Sequence, residues 1–381
     1  MDILGIDHVE FYVGDARQSA FFLCTAFGFH VVGHGGPETG LDAQRTLLLR
    51  HGDSHVLLTS ALNGGHPADG YVSRHGDGVA VIAFAVQDAV ACYEQAVAAG
   101  ARSVEPPRVA KSTVADNAGA RRAALDNPGG TVTTAVVEGF GDVVHRFVQR
   151  EGTAFWPGAI EPQVPASAEG TGPDLVRAID HAAFCVPAGE LEATVEHYQR
   201  VFGFKLIFEE YVEVGTQGMY SQVVQSPSGA ATFTIIQPDM SRDRGQIDDF
   251  LAWHGGPGVQ HLALSTDDIV SAVRTFSGNG AGFAETPAAY YDVLGERVGA
   301  TDLPVDRLRP LGILVDRDHW GQMYQIFSKS MHIRRTYFWE LIERHGAKTF
   351  GTSNIPALYA AKERELADVR ESVDMGVAGQ R

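Results

Sequence analysis

The chain has 381 residues and a formal net charge of −17 at neutral pH. Because nucleic acids and anionic membranes attract basic proteins, this charge argues against either as a partner. Hydrophobic residues make up 44% of the chain and charged residues 20%, as in soluble globular proteins, and the length allows two or more domains.

The beginning of the chain, MDILGIDHVEFYVGD, has no basic region and no long apolar run, so it does not resemble a signal peptide. No window reaches the roughly 18 apolar residues that a membrane helix requires. Cys24, Cys92 and Cys185 lie far apart and are odd in number, which fits free thiols in a reducing compartment. We therefore expect a cytoplasmic protein.

The chain repeats one plan twice. GIDHVEFYVGD from Gly5 resembles AIDHAAFCVPA from Ala178, and HGDGVAVIAF from His75 resembles HGGPGVQHLAL from His254. GDVVHRF from Gly141 also resembles GQMYQIF, which begins at Gly321. Three likenesses in the same order indicate a duplicated domain.

Each copy shows an alternating strand, a helical segment and further strands, and this pattern occurs twice per copy. It predicts an α+β fold of tandem βαβββ modules, with curved mixed sheets around a cavity. The predicted domains span residues 1–152 and 174–381, joined by a linker rich in Pro and Gly at 153–173. A helix without a counterpart in the first copy is expected from Asn354 onward.

Three residues in the second copy suggest a metal site. His261 replaces Val81 of the first copy, His181 lies in an alternating strand, and Glu340 lies between apolar neighbours in FWELIER. Two imidazoles and a carboxylate facing a cavity form the facial triad typical of Fe(II) oxygenases. The alternative is that each is a structural residue, and His8 shows that the equivalent strand tolerates a histidine without such a role.

Several long segments of the second copy, namely IDHAAFCV, GVQHLAL, YYDVLGERVG, MYQIFSKS and FWELIERHGAKTFGTSNIPALYAA, resemble the 4-hydroxyphenylpyruvate dioxygenases and the related 4-hydroxymandelate synthases. The resemblance implies a vicinal-oxygen-chelate (glyoxalase-like) fold with Fe(II) bound by His181, His261 and Glu340. It implies 4-hydroxyphenylpyruvate and O2 as substrates, with no separate 2-oxoglutarate. The first copy would then be a domain without metal.

The two enzymes of this family differ in the atom that they hydroxylate: the dioxygenase attacks the ring to give homogentisate, and the synthase attacks the benzylic carbon to give 4-hydroxymandelate. Ile355 and Tyr359 stand where the dioxygenases usually have phenylalanine, and Thr234 and Ile236 stand where they usually have proline and asparagine. The segment 138–152 also resembles the synthases. We therefore expect the synthase reaction, which by family association points to peptide-antibiotic biosynthesis, with the dioxygenase reaction as the alternative.

Family motifs also place other residues in the substrate pocket. We expect Gln325, Ser221 and Tyr359 to take part in catalysis and the C-terminal helix to cover the cavity. The full set expected to bind substrate is Ser221, Thr234, Ile236, Gln246, Gln260, Gln325, Phe327, Phe338, Ile355 and Tyr359.

Two other classes of protein also fit the sequence. The chain could be a non-catalytic protein of the same fold that binds a small aromatic molecule, or an extradiol catechol dioxygenase. An intact metal triad argues against the first, and the motifs at the end of the chain fit the second poorly. A homodimer is a further possibility.

Overall fold

The computed structural model describes residues 1–111, 130–152, 154–156, 159–162, 174–351 and 353–357. Its first half forms one nine-stranded mixed sheet with the strand order β6-β7-β8-β5-β1-β4-β3-β2-β9. The strands of this sheet are β1 (Ile3–Tyr12), β2 (His30–Gly35), β3 (Gln44–His51), β4 (Ser54–Ala61), β5 (Gly78–Val86), β6 (Ser103–Lys111), β7 (Thr131–Phe140), β8 (Val143–Glu151) and β9 (Glu161–Pro162). The helices of this half are α1 (Ala16–Phe27), α2 (Pro67–His75) and α3 (Ala89–Ala98), with a 3₁₀ turn at Pro37–Thr39.

The second half forms an eight-stranded mixed sheet with the strand order β11-β12-β13-β10-β14-β17-β16-β15. Its strands are β10 (Ile179–Cys185), β11 (Lys205–Val214), β12 (Gln217–Gln225), β13 (Thr232–Pro238), β14 (Gly258–Ser265), β15 (Leu314–Arg317), β16 (Gln322–Phe327) and β17 (Phe338–His345). Its helices are α4 (Leu191–Phe202), α5 (Gln246–His254), α6 (Ile269–Gly278), α7 (Ala288–Asp292), α8 (Leu294–Val298) and α9 (Val305–Leu308), with a 3₁₀ turn at Arg309–Leu311. Among the described residues, no helix has the length and apolar character needed to cross a membrane.

The two sheets have the same internal plan. In each sheet a central antiparallel pair, β1 with β5 or β10 with β14, is flanked on both sides by parallel neighbours. The predicted α+β fold of repeated modules with curved mixed sheets is therefore confirmed.

One predicted correspondence between the copies is wrong. The segment GDVVHRF belongs to β8, which pairs in parallel with β5, whereas GQMYQIF belongs to β16, which pairs with β15 and β17 and not with β14. The partner of β14 is β17, so β8 corresponds to β17. The two segments resemble each other only because both are short alternating strands that follow a turn, and this pattern does not specify a neighbour.

Local sequence explains how α1 begins and how both α1 and α4 end. The Asp15 side chain accepts hydrogen bonds from the first turn of α1, and Gly28 and Gly203 end α1 and α4 in left-handed conformations that glycine adopts without strain. Their apolar faces pack into one large core, which includes residues of both halves.

Part of the predicted linker is folded onto the first sheet. Strand β9 pairs with β2, and Ile160 packs against Leu48 and Leu57. Residues 163–173 and the predicted C-terminal helix from residue 358 onward lie outside the described residues, although residues 354–357 are helical.

Candidate metal centre and its cavity

Two imidazoles and one carboxylate converge on one face of the second sheet. His181 in β10, His261 in β14 and Glu340 in β17 lie on three adjacent strands. Glu340 Oε2 lies 3.3 Å from His181 Nε2 and 3.4 Å from His261 Nε2, and one ligand atom from each residue lies within 4.8 Å of the others. Such separations suit ligand atoms bound about 2 Å from one shared ion.

Strand register explains this convergence. His181 and Glu340 are both paired with Ala263, and His261 lies two residues before Ala263, so alternation places all three side chains on one face. The buried Ala263 between them has only a methyl group, which leaves space among the three longer side chains.

The buried charge of Glu340 is incompletely compensated by the protein. The residue is 1% exposed, and its Oε1 has no hydrogen-bond partner among the described residues. Burial favours a neutral acid, but the two imidazoles outweigh this effect and hold the pKa of Glu340 below its usual value. A buried carboxylate with an unpartnered oxygen and two imidazoles beside it fits a divalent cation.

The two histidines respond differently to this environment. Burial acts to lower the pKa of His181, but the Glu340 carboxylate and the Asp180 side chain raise it to about 9. Burial lowers the pKa of His261, and the hydrogen bond to Glu340 only partly offsets this effect. Without a metal ion, His181 is therefore the imidazole that favours the protonated form.

Each imidazole is held through the nitrogen that faces away from the site. His181 Nδ1 lies 2.8 Å from Asp180 Oδ1, and Arg344 donates two hydrogen bonds of 2.8 Å to the same carboxylate. His261 Nδ1 lies 3.2 Å from Gln260 Oε1. Because Nδ1 is engaged in both rings, Nε2 is the nitrogen available to a metal.

Asp180 and Arg344 were not among the predicted site residues, although the repeat contains a signal for both. In the first half, Asp7 lies 2.6 Å from His8 Nδ1 and accepts two hydrogen bonds from Arg150. The Ile-Asp-His sequence occurs at residues 6–8 and 179–181. The shared Asp-His-Arg arrangement orients a histidine in each half, whether or not that histidine has metal-ligand neighbours.

A cavity of about 820 Å³ opens beside His261. Phe338 stacks on the His261 ring with centroids 5.1 Å apart, and Phe327 meets the same ring edge-on at 5.8 Å. These two phenylalanines form an aromatic wall next to the candidate metal centre. The predicted residues that line the cavity are Ile236, Gln246, Gln260, His261, Phe327, Phe338 and Ile355.

Three predicted pocket residues are buried but do not line the cavity. Thr234 lies in the same row as His261, with Ala183 between them, and its hydroxyl has no partner among the described residues. Ser221 pairs with Ile236 across the sheet. Gln325 is 1% exposed, and its Oε1 has no hydrogen-bond partner among the described residues.

Tyr359 lies outside the described residues. The β11–β12 hairpin and the loop at 284–287 also line the cavity and were not predicted from the sequence. Their residues are not distinctive in type, so only the folded arrangement identifies them. The hairpin contributes Val212, Val214, Gln217, Gly218 and Met219.

The chain resembles known proteins over most of its length. Residues 5–129 and 178–322 match the Glyoxalase/Bleomycin resistance protein/Dioxygenase superfamily. A 4-hydroxyphenylpyruvate dioxygenase from Yarrowia lipolytica is 31% identical over 95% of this chain and 92% of its own, and one from Dictyostelium discoideum is 31% identical over 95% and 98%.

Among solved structures, a triple variant of 4-hydroxymandelate synthase from Streptomyces coelicolor is 40% identical to this chain. The match has a TM-score of 0.81 and covers 96% of this chain and 99% of that one. The likeness therefore extends over both halves rather than over the half with the candidate metal centre alone.

Proposed function

Because this chain belongs to the 4-hydroxyphenylpyruvate dioxygenase family, we propose that it is an Fe(II)-dependent dioxygenase that converts 4-hydroxyphenylpyruvate and O2 to 4-hydroxymandelate and CO2. The observation that supports this most directly is the convergence of His181, His261 and Glu340 beside an aromatic-walled cavity. Fe(II) bound by these three residues would supply the activation of O2 and the orientation of the 2-oxo acid.

The remaining residues of the site would bind and orient the substrate. Phe327 and Phe338 offer flat apolar surfaces for the phenol ring next to the metal ligands. Gln246 and Gln260 place amide groups on the same cavity and can hydrogen-bond the polar ends of the substrate. Gln260 also holds His261, so its amide links substrate binding to the orientation of a metal ligand.

Ser221, Thr234, Gln325 and Tyr359 are proposed contributors on the family resemblance. The unpartnered Thr234 hydroxyl and Gln325 Oε1 support this for two of them, since buried polar atoms without partners are uncommon away from functional sites. A homodimer also stays a prediction.

The side chains at one end of the cavity support the proposed benzylic rather than ring hydroxylation. Ile236 and Ile355 both line it and pack in one cluster with Cys185 and Met219. Ile355, a branched aliphatic residue in place of the phenylalanine that dioxygenases usually have, leaves more space beside the substrate, so the substrate ring can sit differently against the oxidant. Shifts of about 1 Å are enough to change which atom reacts.

The test is to identify the product. Purified protein receives Fe(II), O2 and 4-hydroxyphenylpyruvate without another oxo acid, and products are separated by chiral chromatography and identified by mass spectrometry. We expect 4-hydroxymandelate and one CO2 per O2 consumed. Homogentisate as the main product would overturn the benzylic assignment but not the metal site, whereas unconsumed substrate would favour the small-molecule-binding alternative.

Substitution of Ile355 tests whether this residue selects the atom that is hydroxylated. Ile355→Phe should raise the share of homogentisate or of unhydroxylated 4-hydroxyphenylacetate, because the larger ring narrows the cavity. Ile333→Phe is the matched control, since Ile333 is fully exposed. Equal product ratios in the two variants would contradict a role for Ile355 in selecting the reacting atom.

A further inference from the structure

The segment that brings Ile355 to the cavity is fastened from its opposite side. Asn354 is 0% exposed, and its Oδ1 accepts hydrogen bonds from the Tyr290 hydroxyl at 2.7 Å and from Arg297 Nη2 at 3.0 Å. Arg297 Nη1 also donates to Ser353 Oγ at 2.8 Å. Neither Tyr290 in α7 nor Arg297 in α8 lines the cavity, so these residues hold its wall without touching what it contains.

The holding groups are themselves fixed to the second sheet. The Tyr290 hydroxyl accepts a hydrogen bond of 2.9 Å from the backbone N–H of Val315, and Arg297 Nη2 donates to the Val315 carbonyl at 2.6 Å. The Arg297 guanidinium also lies 5.0 Å from the centre of the Tyr290 ring. The clamp, defined as Tyr290 and Arg297, thus joins the segment at 353–354 to β15.

The Asn354 amide depends on this clamp. Its Nδ2 has no hydrogen-bond partner among the described residues, so its side chain is held through its oxygen alone. The backbone N–H of Asn354 donates to Gly351, which is within the same segment and gives no anchor to the sheet. Ser353 is also attached to β15, because its hydroxyl donates to the Asp316 carboxylate. Loss of the clamp would therefore release the Asn354 side chain, next to Ile355, while Ser353 stays bound to the sheet.

We propose that Tyr290 and Arg297 are positioning residues that set Ile355 against the substrate ring and thereby govern which product forms. The proposal rests on the proposed function. Its physical basis is that Ile355 lines the cavity and directly follows Asn354, whose buried side-chain oxygen accepts two hydrogen bonds. Displacement of a cavity wall by about 1 Å can change reaction outcome substantially.

Two neighbouring tyrosines provide the test. Tyr290→Phe removes the hydroxyl that reaches Asn354, while Tyr291→Phe removes a neighbouring buried hydroxyl that donates to the Ile313 carbonyl at 2.9 Å instead of to Asn354. We expect Tyr290→Phe to raise the ratio of other products, including 4-hydroxyphenylacetate, to 4-hydroxymandelate by about tenfold. Tyr291→Phe should leave the ratio unchanged, and both variants should bind iron and melt at similar temperatures.

Hydrogen exchange gives a readout that does not require catalysis. Amides at 353–357 should exchange faster in Tyr290→Phe than in the parent and in Tyr291→Phe. If the amides exchange faster but the parent forms no 4-hydroxymandelate, the positioning role of the clamp is supported and the proposed reaction is wrong. The product ratio is then measured as homogentisate to 4-hydroxyphenylacetate. Identical exchange and identical product ratios in the two variants would overturn the proposal.

Asn354→Ala supplies a second variant. It removes the acceptor instead of the donor, so it should change product partition in the same direction as Tyr290→Phe. The double variant should add little to Asn354→Ala alone, because that substitution already removes the acceptor of the Tyr290 hydroxyl. Fully additive effects would show that Tyr290 acts elsewhere and would also overturn the proposal.

Discussion

At the scale of single residues, the two halves of the chain provide controls for each other. Strand register places His8 opposite Ala83 and His181 opposite Ala263, so the two histidines occupy the same position. The same registers make Val81 the counterpart of His261. A valine at this position is compatible with a buried central strand, since Val81 is 1% exposed in β5.

His261→Val should therefore fold but lose the metal. We expect iron affinity to fall more than about 100-fold, because loss of even an outer partner of a ligand costs about 10–100-fold. Iron per chain after dialysis, measured by elemental analysis, reports this directly, and circular dichroism reports the fold. His319→Val, at an exposed histidine, should retain iron. Iron retained equally in both variants would remove His261 from the ligand set.

Among the strands, β8 and β17 show how the first half differs from the candidate metal centre of the second half. Arg146 and Glu340 are paired with the equivalent alanines Ala83 and Ala263, so a guanidinium stands where the second half has its carboxylate. Arg146 donates to Glu10 Oε2 at 2.8 Å and lies 3.2 Å from His8 Nε2. In the first half, the Arg146 guanidinium thus provides the hydrogen-bonding partner for Nε2 of the buried His8.

The buried Arg146 guanidinium should be needed for the stability of the fold. Arg146→Met leaves Glu10 buried with the Thr59 hydroxyl as its remaining partner, and we expect a loss of about 3–5 kcal/mol in the free energy of unfolding. Urea unfolding measures this loss. Arg177→Met, which breaks an exposed pair with Asp267, should cost less than about 1 kcal/mol.

Pairing the substitution with a change in Glu10 refines this test. If the loss of stability in Arg146→Met comes from the unpaired Glu10 carboxylate, adding Glu10→Gln should recover part of that loss. A loss in Arg146→Met no larger than in Arg177→Met would show that the guanidinium does not compensate Glu10.

These strands also show what the sequence could and could not predict. Alternation and the repeat predicted His181, His261 and Glu340, which the structure brings together, because a polar residue in a buried strand contrasts with its apolar neighbours. The same alternation misassigned β8, since it fixes the face of a side chain but not the neighbouring strand. The roles of Arg344 and Tyr290 depend on contacts across 164 and 64 positions of sequence, which no local pattern records.

At the scale of the whole molecule, buried histidines join the two halves. His145 Nε2 in β8 lies 2.7 Å from the Tyr198 hydroxyl in α4, and both residues are fully buried. His75 at the end of α2 stacks on His254 at the end of α5, with ring centroids 4.3 Å apart. Asp142 accepts from His75, and the neighbouring Arg74 and Arg334 add positive charge at the same junction.

This interface should make the protein sensitive to mild acid. Burial lowers the pKa of His254 to about 4 and that of His145 to about 3, whereas an unfolded histidine titrates near 6.5. Unfolding therefore takes up protons between these values, so the stabilisation is complete above pH 6.5 and declines as pH falls toward the folded-state pKa values. At pH 5 each histidine should account for a loss of about 2 kcal/mol.

Urea unfolding at pH 7.5 and pH 5.0 measures this loss, and variants assign it. His145→Gln keeps a hydrogen-bonding group near Tyr198 but cannot take up a proton in this range, so its stability should fall less with acidification than that of the parent. His319→Gln, at an exposed site, should follow the parent. If His145→Gln and His319→Gln lose equal stability between the two pH values, protonation of His145 does not contribute to the acid sensitivity of the interface between the halves.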